Sequence, residues 1–148
     1  MKRAILRIVS GGMELSTFLL EIVTPERLVY SEQVDSIIVR GVEGELGIMP
    51  GHIPMVTPLQ IAPIVIKSGK ENKQVAIGGG FIEVRKDKVV VLAESAEFPE
   101  NIDVDRARAA KERAERRLSS QSNQDHFDHR RAEIALQKAV NRINVYGK

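Results

Sequence analysis

The apolar residues of this chain keep one rhythm before Pro99 and another after it, so the chain divides into two halves of different chemistry. From Thr17 to about Phe98, short runs rich in Val, Ile and Phe are cut by turns. The runs are Phe18 to Thr24, Val34 to Arg40, Ala62 to Lys67, Gln74 to Ile77, Phe81 to Arg85 and Val89 to Ala93. Thr24-Pro25-Glu26, Ser68-Gly69-Lys70 and Arg85-Lys86-Asp87-Lys88 supply turn chemistry between them. Many short strands at this spacing predict an antiparallel sandwich or barrel rather than a βαβ fold. Gly78-Gly79-Gly80 predicts a strand that bends or packs closely. No Lys-Ser/Thr follows it, which excludes a phosphate-binding P-loop.

Beyond Pro99, Ala107, Ala110, Ala114 and Leu118 recur at spacings of three and four, a narrow stripe of small residues on a helix. Ala132, Ala135, Leu136, Ala139 and Ile143 repeat the device. The polar stretch from Ser119 to His126 between them has the length of a helix–helix connection. The predicted fold is therefore mixed, β then α: an N-terminal antiparallel β-sandwich over residues 13–98, then an antiparallel two-helix hairpin over residues 99–148. Residues 1–12 read as an extension ahead of a native start at Met13. Alanine methyls let helices approach closely but bury little, about 0.8 kcal/mol for each methyl-sized group. A hairpin closed by such a seam is marginally stable against opening or exchanging its partner.

Composition narrows the function. The 43% hydrophobic and 28% charged fractions belong to a globular protein. Without Trp, and with only six aromatic residues, the chain lacks a stacking platform for nucleic acid. No apolar run approaches the roughly twenty residues that cross a bilayer, so no direct membrane insertion is expected. Cysteine is absent, which removes disulfides, thiol nucleophiles and thiolate-held metals. Residues 103–148 carry eleven Lys/Arg against seven Asp/Glu, whereas residues 1–102 carry eleven against thirteen. The basic excess belongs to the helical tail and marks it as seeking an acidic partner.

Three segments, in order, resemble the epsilon subunit of the bacterial F-type ATP synthase. They are the loop Gly44-Glu45-Leu46-Gly47-Ile48-Met49-Pro50-Gly51-His52-Ile53-Pro54, the segment Gly79-Gly80-Phe81-Ile82-Glu83-Val84 and the helix opening Ile102-Asp103-Val104-Asp105-Arg106-Ala107. The resemblance covers essentially Phe18 to Val145. It implies a non-catalytic regulatory rotor subunit, peripheral on the cytoplasmic face of the bacterial plasma membrane. Its implied partners are the gamma shaft, the c ring and the alpha and beta subunits of the catalytic hexamer. Glu45 and His52 match the family loop that faces the c ring; read without the resemblance, the segment is a pair of tight turns with Glu45 solvated. In the family the hairpin either folds against the sandwich or rises along gamma and blocks ATP hydrolysis. Arg113, Arg116, Arg117, Arg130 and Arg131 are candidates for acidic surfaces in the raised state, although most arginine-rich helices present a merely solvated face.

Some family members bind ATP as a regulatory ligand in the compact hairpin, through an Ile/Leu-Asp-x-x-Arg-Ala opening that this chain matches in full. The resemblance carries the ATP site to Glu97, Ile102, Asp103, Arg106, Ala107, Arg113, Lys138 and Arg142. Several converging cations suit a triphosphate. Glu97 and Asp103 are assigned to capping and to polar atoms of base or ribose, and Ile102 to packing on adenine. Lys138 departs from the usual Arg and loses its planar fork, an expected cost of about 1–2 kcal/mol in binding. Three alternatives stand beside this. The opening is also a plain helix cap, which would leave a brake insensitive to ATP. A small nucleotide hydrolase is disfavoured by the missing P-loop, nucleophile–base pair and metal cluster. His126 and His129, beside Asp125 and Asp128, have workable metal spacing but are more simply solvated, so no metal is required.

Overall fold

The computed structural model describes residues 6–8, 14–120 and 126–147. Met13 and most residues before it, and residues 121–125 of the polar stretch, lie outside that description. The chain divides into two compact units, one ending at Ala96 and the other beginning at Glu97. Among the described residues no helix is long and apolar enough to cross a membrane.

The first unit is a β-sandwich. A small antiparallel ribbon, β1 (Leu6–Ile8) with β2 (Glu14–Ser16), precedes it. The main sheet comprises β3 (Phe18–Val23), β4 (Leu28–Val34), β5 (Ser36–Gly41), β6 (Gly44–Ile48), β7 (Met55–Ser68), β8 (Glu71–Val84) and β9 (Lys88–Ala93). They run in the order β4-β3-β9-β8-β7-β5-β6. Every neighbouring pair is antiparallel except β3 and β9, which run parallel with Leu19 beside Lys88 and Val23 beside Leu92.

The two fourteen-residue strands make the sheet two layers. The later half of β8 pairs with β9, from Gly80↔Ala93 to Val84↔Val89, while the later half of β7 pairs with β5, as in Ile37↔Ile66. The bend between the halves falls at the glycine run. Gly79 and Gly80 have φ of 98° and 140°, a region that side chains rarely adopt. There β8 turns its hydrogen bonds to the chain beyond β9: Gly78 N donates to Ser95 O at 2.9 Å, and Glu94 N donates to Gly79 O at 3.0 Å. The runs Gln74 to Ile77 and Phe81 to Arg85, separate strands by their sequence, are thus one strand through a bend.

Alternation places the core between the layers. Leu20, Ile22, Ile82 and Val91 face inward from one side, and Ile37, Val39, Ile66 and Ile77 from the other, each at most 1% exposed. Burial of each side chain of this size contributes about 1.5–3 kcal/mol. Tyr30 on β4 is also buried, with Lys73 Nζ 5.9 Å from its ring centroid. Burial, and then the charge of Glu32 with its hydrogen bond and that of Glu71, pushes the phenol from 10.0 up to about 12. A neutral phenol favoured by the fold supports it fully below the unfolded value near 10. That support is lost as pH climbs through about 12. Ultraviolet difference titration in a Tyr146→Phe background should accordingly show the tyrosinate signal rising near pH 12 in the folded chain, and near 10 after denaturation.

The second unit opens inside the short strand β10 (Ala96–Glu97) and continues through a 3₁₀ turn, Pro99–Asn101. Helix α1 (Val104–Ser119) follows, with Asp103 at its N-cap, and then α2 (His126–Tyr146). The alanine stripes form the seam: Ala107, Ala114, Ala132 and Ala139 are at most 2% exposed. Ala110, Leu118, Ala135, Leu136 and Ile143 are half-buried at its margins. The end of α2 returns to the 3₁₀ turn that precedes α1, so the helices are antiparallel.

Candidate functional site

Of the residues assigned to a nucleotide, Glu97, Ile102, Asp103, Arg106, Ala107 and Arg142 lie toward the end of the hairpin where α1 begins and α2 ends, whereas Lys138 stands earlier on α2 and Arg113 past the middle of α1. Ile102 is 6% exposed and anchors the entry to α1, its N–H donating to Pro99 O at 3.2 Å. Asp103 Oδ1 accepts from the Arg106 N–H at 3.1 Å, satisfying one of the donors that a helix start leaves open. Ala107 is fully buried in the seam. Arg106 and Arg113 each precede a seam alanine, two helical turns apart, and both are exposed along one margin of α1. On α2, half-buried Lys138 precedes Ala139, and Arg142 lies one turn beyond it.

The structure joins two of these residues directly. Arg142 Nε donates to Glu97 Oε1 at 2.7 Å and Nη2 to Glu97 Oε2 at 3.2 Å, a two-point pair with side chains 24% and 30% exposed. The Glu97 carboxylate, assigned by the sequence to a base or ribose, therefore holds a cation of the same set. Arg106 and Arg113 point their charge at solvent. Cations on both helices, with Arg142 holding the Glu97 carboxylate, can receive a polyanion that exchanges partners with Glu97.

Two buried residues of this unit were not anticipated: Asn141, 7% exposed, and Val145, 0% exposed. Neither lies on the alanine stripe. The last turns of α2 pack against Pro99–Asn101 as well as α1, so burial there follows two neighbours rather than one seam. His129 Nε2 sits 3.1 Å from Glu133 Oε1, one turn along α2. Among the described residues no group of three or more His, Cys, Asp or Glu could hold a metal.

The second candidate region is the segment carrying Glu45 and His52. Its first part, expected as a loop, is strand β6, paired with β5 from Gly41↔Gly44 to Ile37↔Ile48. Ladder hydrogen bonds override the low strand propensity of its glycines. Glu45 stands opposite Arg40, with Nη2 to Oε2 at 3.5 Å, and both side chains are at least half-exposed. After β6 the chain turns at Gly51, φ 83°, and the His52 N–H donates to Met49 O at 3.1 Å. His52 Nδ1 lies 2.8 Å from Ile53 O; a carbonyl only accepts, so Nδ1 carries the proton. Val42, Met49 and Ile53 are 61%, 66% and 74% exposed, an apolar tip beside the acidic Glu45.

A third feature includes Phe81 of the segment Gly79 to Val84. Pro58, Phe81, Leu92 and Val23 are register partners across β7, β8, β9 and β3, so they form one row on the outer face of a layer. Phe81 and Leu92 are each 51% exposed, and nearby Val56 is 64% exposed. A contiguous apolar row on an outer face marks an interaction surface. Its signal in the sequence is faint: an outward Phe at 81 beside an inward Ile at 82.

Residues 17–99 match the family described as ATP synthase, Delta/Epsilon chain, beta-sandwich domain. Residues 100–147 match its long alpha-helix domain. The ATP synthase epsilon chain of Alkalihalophilus pseudofirmus is 56% identical over 134 residues, covering 90% of this chain and 100% of that one. The epsilon chain of Halalkalibacterium halodurans is 50% identical with the same coverage. A chain in the cryo-EM structure of the Euglena gracilis mitochondrial ATP synthase (OSCP/F1/c-ring, rotational state 1) shares the fold. Its TM-score is 0.75 at 24% identity, covering 96% of this chain and 89% of that chain.

Proposed function

The chain belongs to the ATP synthase epsilon-chain family, and from that premise we propose that it is a non-catalytic regulator of a proton-translocating rotary ATP synthase. Its sandwich couples the gamma shaft to the c ring, peripheral on the cytoplasmic face of the plasma membrane. The outer apolar row around Phe81 and Leu92 takes the shaft. The Glu45–His52 segment, with its exposed Met49 and Ile53, faces the polar loops of the c ring. The helical hairpin is a brake that rises into the catalytic hexamer of alpha and beta subunits and stops ATP hydrolysis. Its exposed Arg113, Arg116 and Arg117, and Arg130 and Arg131 on α2, meet acidic surfaces there.

The observation that carries this reading is a seam of alanines between two helices, flanked by Arg106 and Arg113 on one helix and by Lys138 and Arg142 on the other. The seam stabilises the compact state only weakly, and the cations let ATP add to it. A ligand that binds the compact tail alone stabilises it by RT ln(1 + [ATP]/Kd), which releases the brake when ATP is abundant. Affinity near the cellular ATP concentration, weakened by Lys138 in place of Arg, suits that role.

Calorimetric titration with ATP from micromolar to several millimolar tests the ligand. The wild-type chain should saturate, and Arg106→Ala should raise Kd at least about tenfold, the loss of one charge-assisted contact. Equal binding by both chains would remove Arg106 from the site. Silence in both would favour the second reading, a brake insensitive to ATP. The Asp103 cap on the Arg106 N–H supports that alternative, because a plain helix start is built the same way.

A further inference from the structure

The two ends of the hairpin are closed differently. At one end the chain connection itself ties α1 to α2. At the other, the chain leaves α2 free to depart, and the seam leading there is built of Ala107, Ala114, Ala132 and Ala139. Such methyls guide approach but resist separation poorly. What closes this end is larger: Ile102 and Val145, both buried, and the pair between Glu97 and Arg142.

We propose that the Glu97–Arg142 ion pair is the latch that keeps the ligand-free hairpin shut, and that α2 leaves α1 by first breaking it. The latch deepens the reading of the hairpin as a mobile brake. Its geometry is two-point, at 2.7 and 3.2 Å, between residues 45 positions apart. Glu97 precedes the 3₁₀ turn and Arg142 stands near the C-terminus of α2, so the pair spans separate segments. By contrast, Arg108–Asp105 and Arg130–Glu133 each lie within one helix and would travel with it. The partners are at most 30% exposed, so solvent screens them less than a surface pair. The carboxylate thus occupies, in the chain itself, the place an anionic ligand would take. A bound polyphosphate would take over the closing contact rather than add a second one.

Hydrogen exchange on the full nucleotide-free chain at low ionic strength tests this, comparing wild type, Glu97→Gln, Arg142→Gln and the double variant. Each single variant should speed exchange of the amides from Ala139 to Val145 about fivefold, with the β8 amides around Ile82 unchanged as the folding control. The double variant should be no faster than either single one, because both remove the same contact. Unchanged protection in Glu97→Gln would overturn the latch, and so would effects that multiply in the double variant. The experiment contains no nucleotide, so a chain that fails to bind ATP can still show the latch. Calorimetry with wild type and Arg106→Ala then judges the nucleotide reading alone.

Discussion

Replacing Gly80 by valine is expected to unfold the sandwich. Gly80 sits at φ 140°, and a Cβ built there would collide with the Leu92 carbonyl oxygen and lie 2.9 Å from Ala93 Cα. Both obstacles are backbone, and both belong to β9, which Gly80 pairs with directly. Neither can swing aside as a flexible side chain would. A branched residue in a positive-φ region costs about 1–3 kcal/mol, and forced overpacking a further 1–3. Together these approach the roughly 5–15 kcal/mol that holds a domain of this kind folded. Gly47→Val provides the contrast, since a Cβ at Gly47 meets nothing within 4 Å and its φ is not in the strained region. Urea unfolding should show Gly80→Val unfolded or lowered by about 4 kcal/mol, with Gly47→Val within about 1 kcal/mol of wild type. A Gly80→Val chain with an unchanged midpoint would mean that β8 and β9 separate at the bend without cost.

Phe81→Asp should leave the sandwich folded and cost it the gamma shaft. Phe81 is half exposed, and the neighbouring side chains of its row are outward as well, so the fold has no need of its ring. Its register partners Pro58 and Leu92 continue the apolar surface on either side. If the shaft covers that row, an aromatic at its centre is the kind of residue that dominates an interface. A carboxylate there both removes the contact and puts a charge where water is excluded. The expected loss is at least about 2–3 kcal/mol, roughly a hundredfold in affinity. Surface plasmon resonance with purified gamma would measure it, with circular dichroism of the variant as the folding control. Undiminished affinity would move the shaft contact off this face of the sheet.

Where the apolar run is nearly continuous, sequence and structure agree. Phe18, Leu19, Leu20 and Ile22 are buried on β3 and Val89, Val90, Val91 and Ala93 on β9, and both strands stand nearly where their apolar runs do. The alanine stripes were legible for the same reason, since nothing but a close seam rewards small residues at those spacings. Strand β4 was not, because an edge strand buries half as much and can carry Ser31, Glu32 and Gln33. Strand β6 hid behind Gly44 and Gly47. The glycine run announced a bend, though not that the chain on either side was one strand joining two layers. At the candidate nucleotide site, the family resemblance named Glu97 and Arg142 separately, and their mutual pairing needed three dimensions. Which charges meet across 45 residues depends on the returning helix, and no local pattern records that.

The parallel pairing of β3 with β9 also orders events during synthesis. Leu19 cannot meet Lys88 until the whole stretch between them has left the ribosome, so the first strand of the main sheet waits beside β4 for β9. Until then its second edge is open to other chains, the usual hazard of pairings between distant residues. The helices emerge only after β9 does. By the time α2 is complete, the strands have had their chance to close, so the open edge of β3 is covered before the hairpin begins to fold.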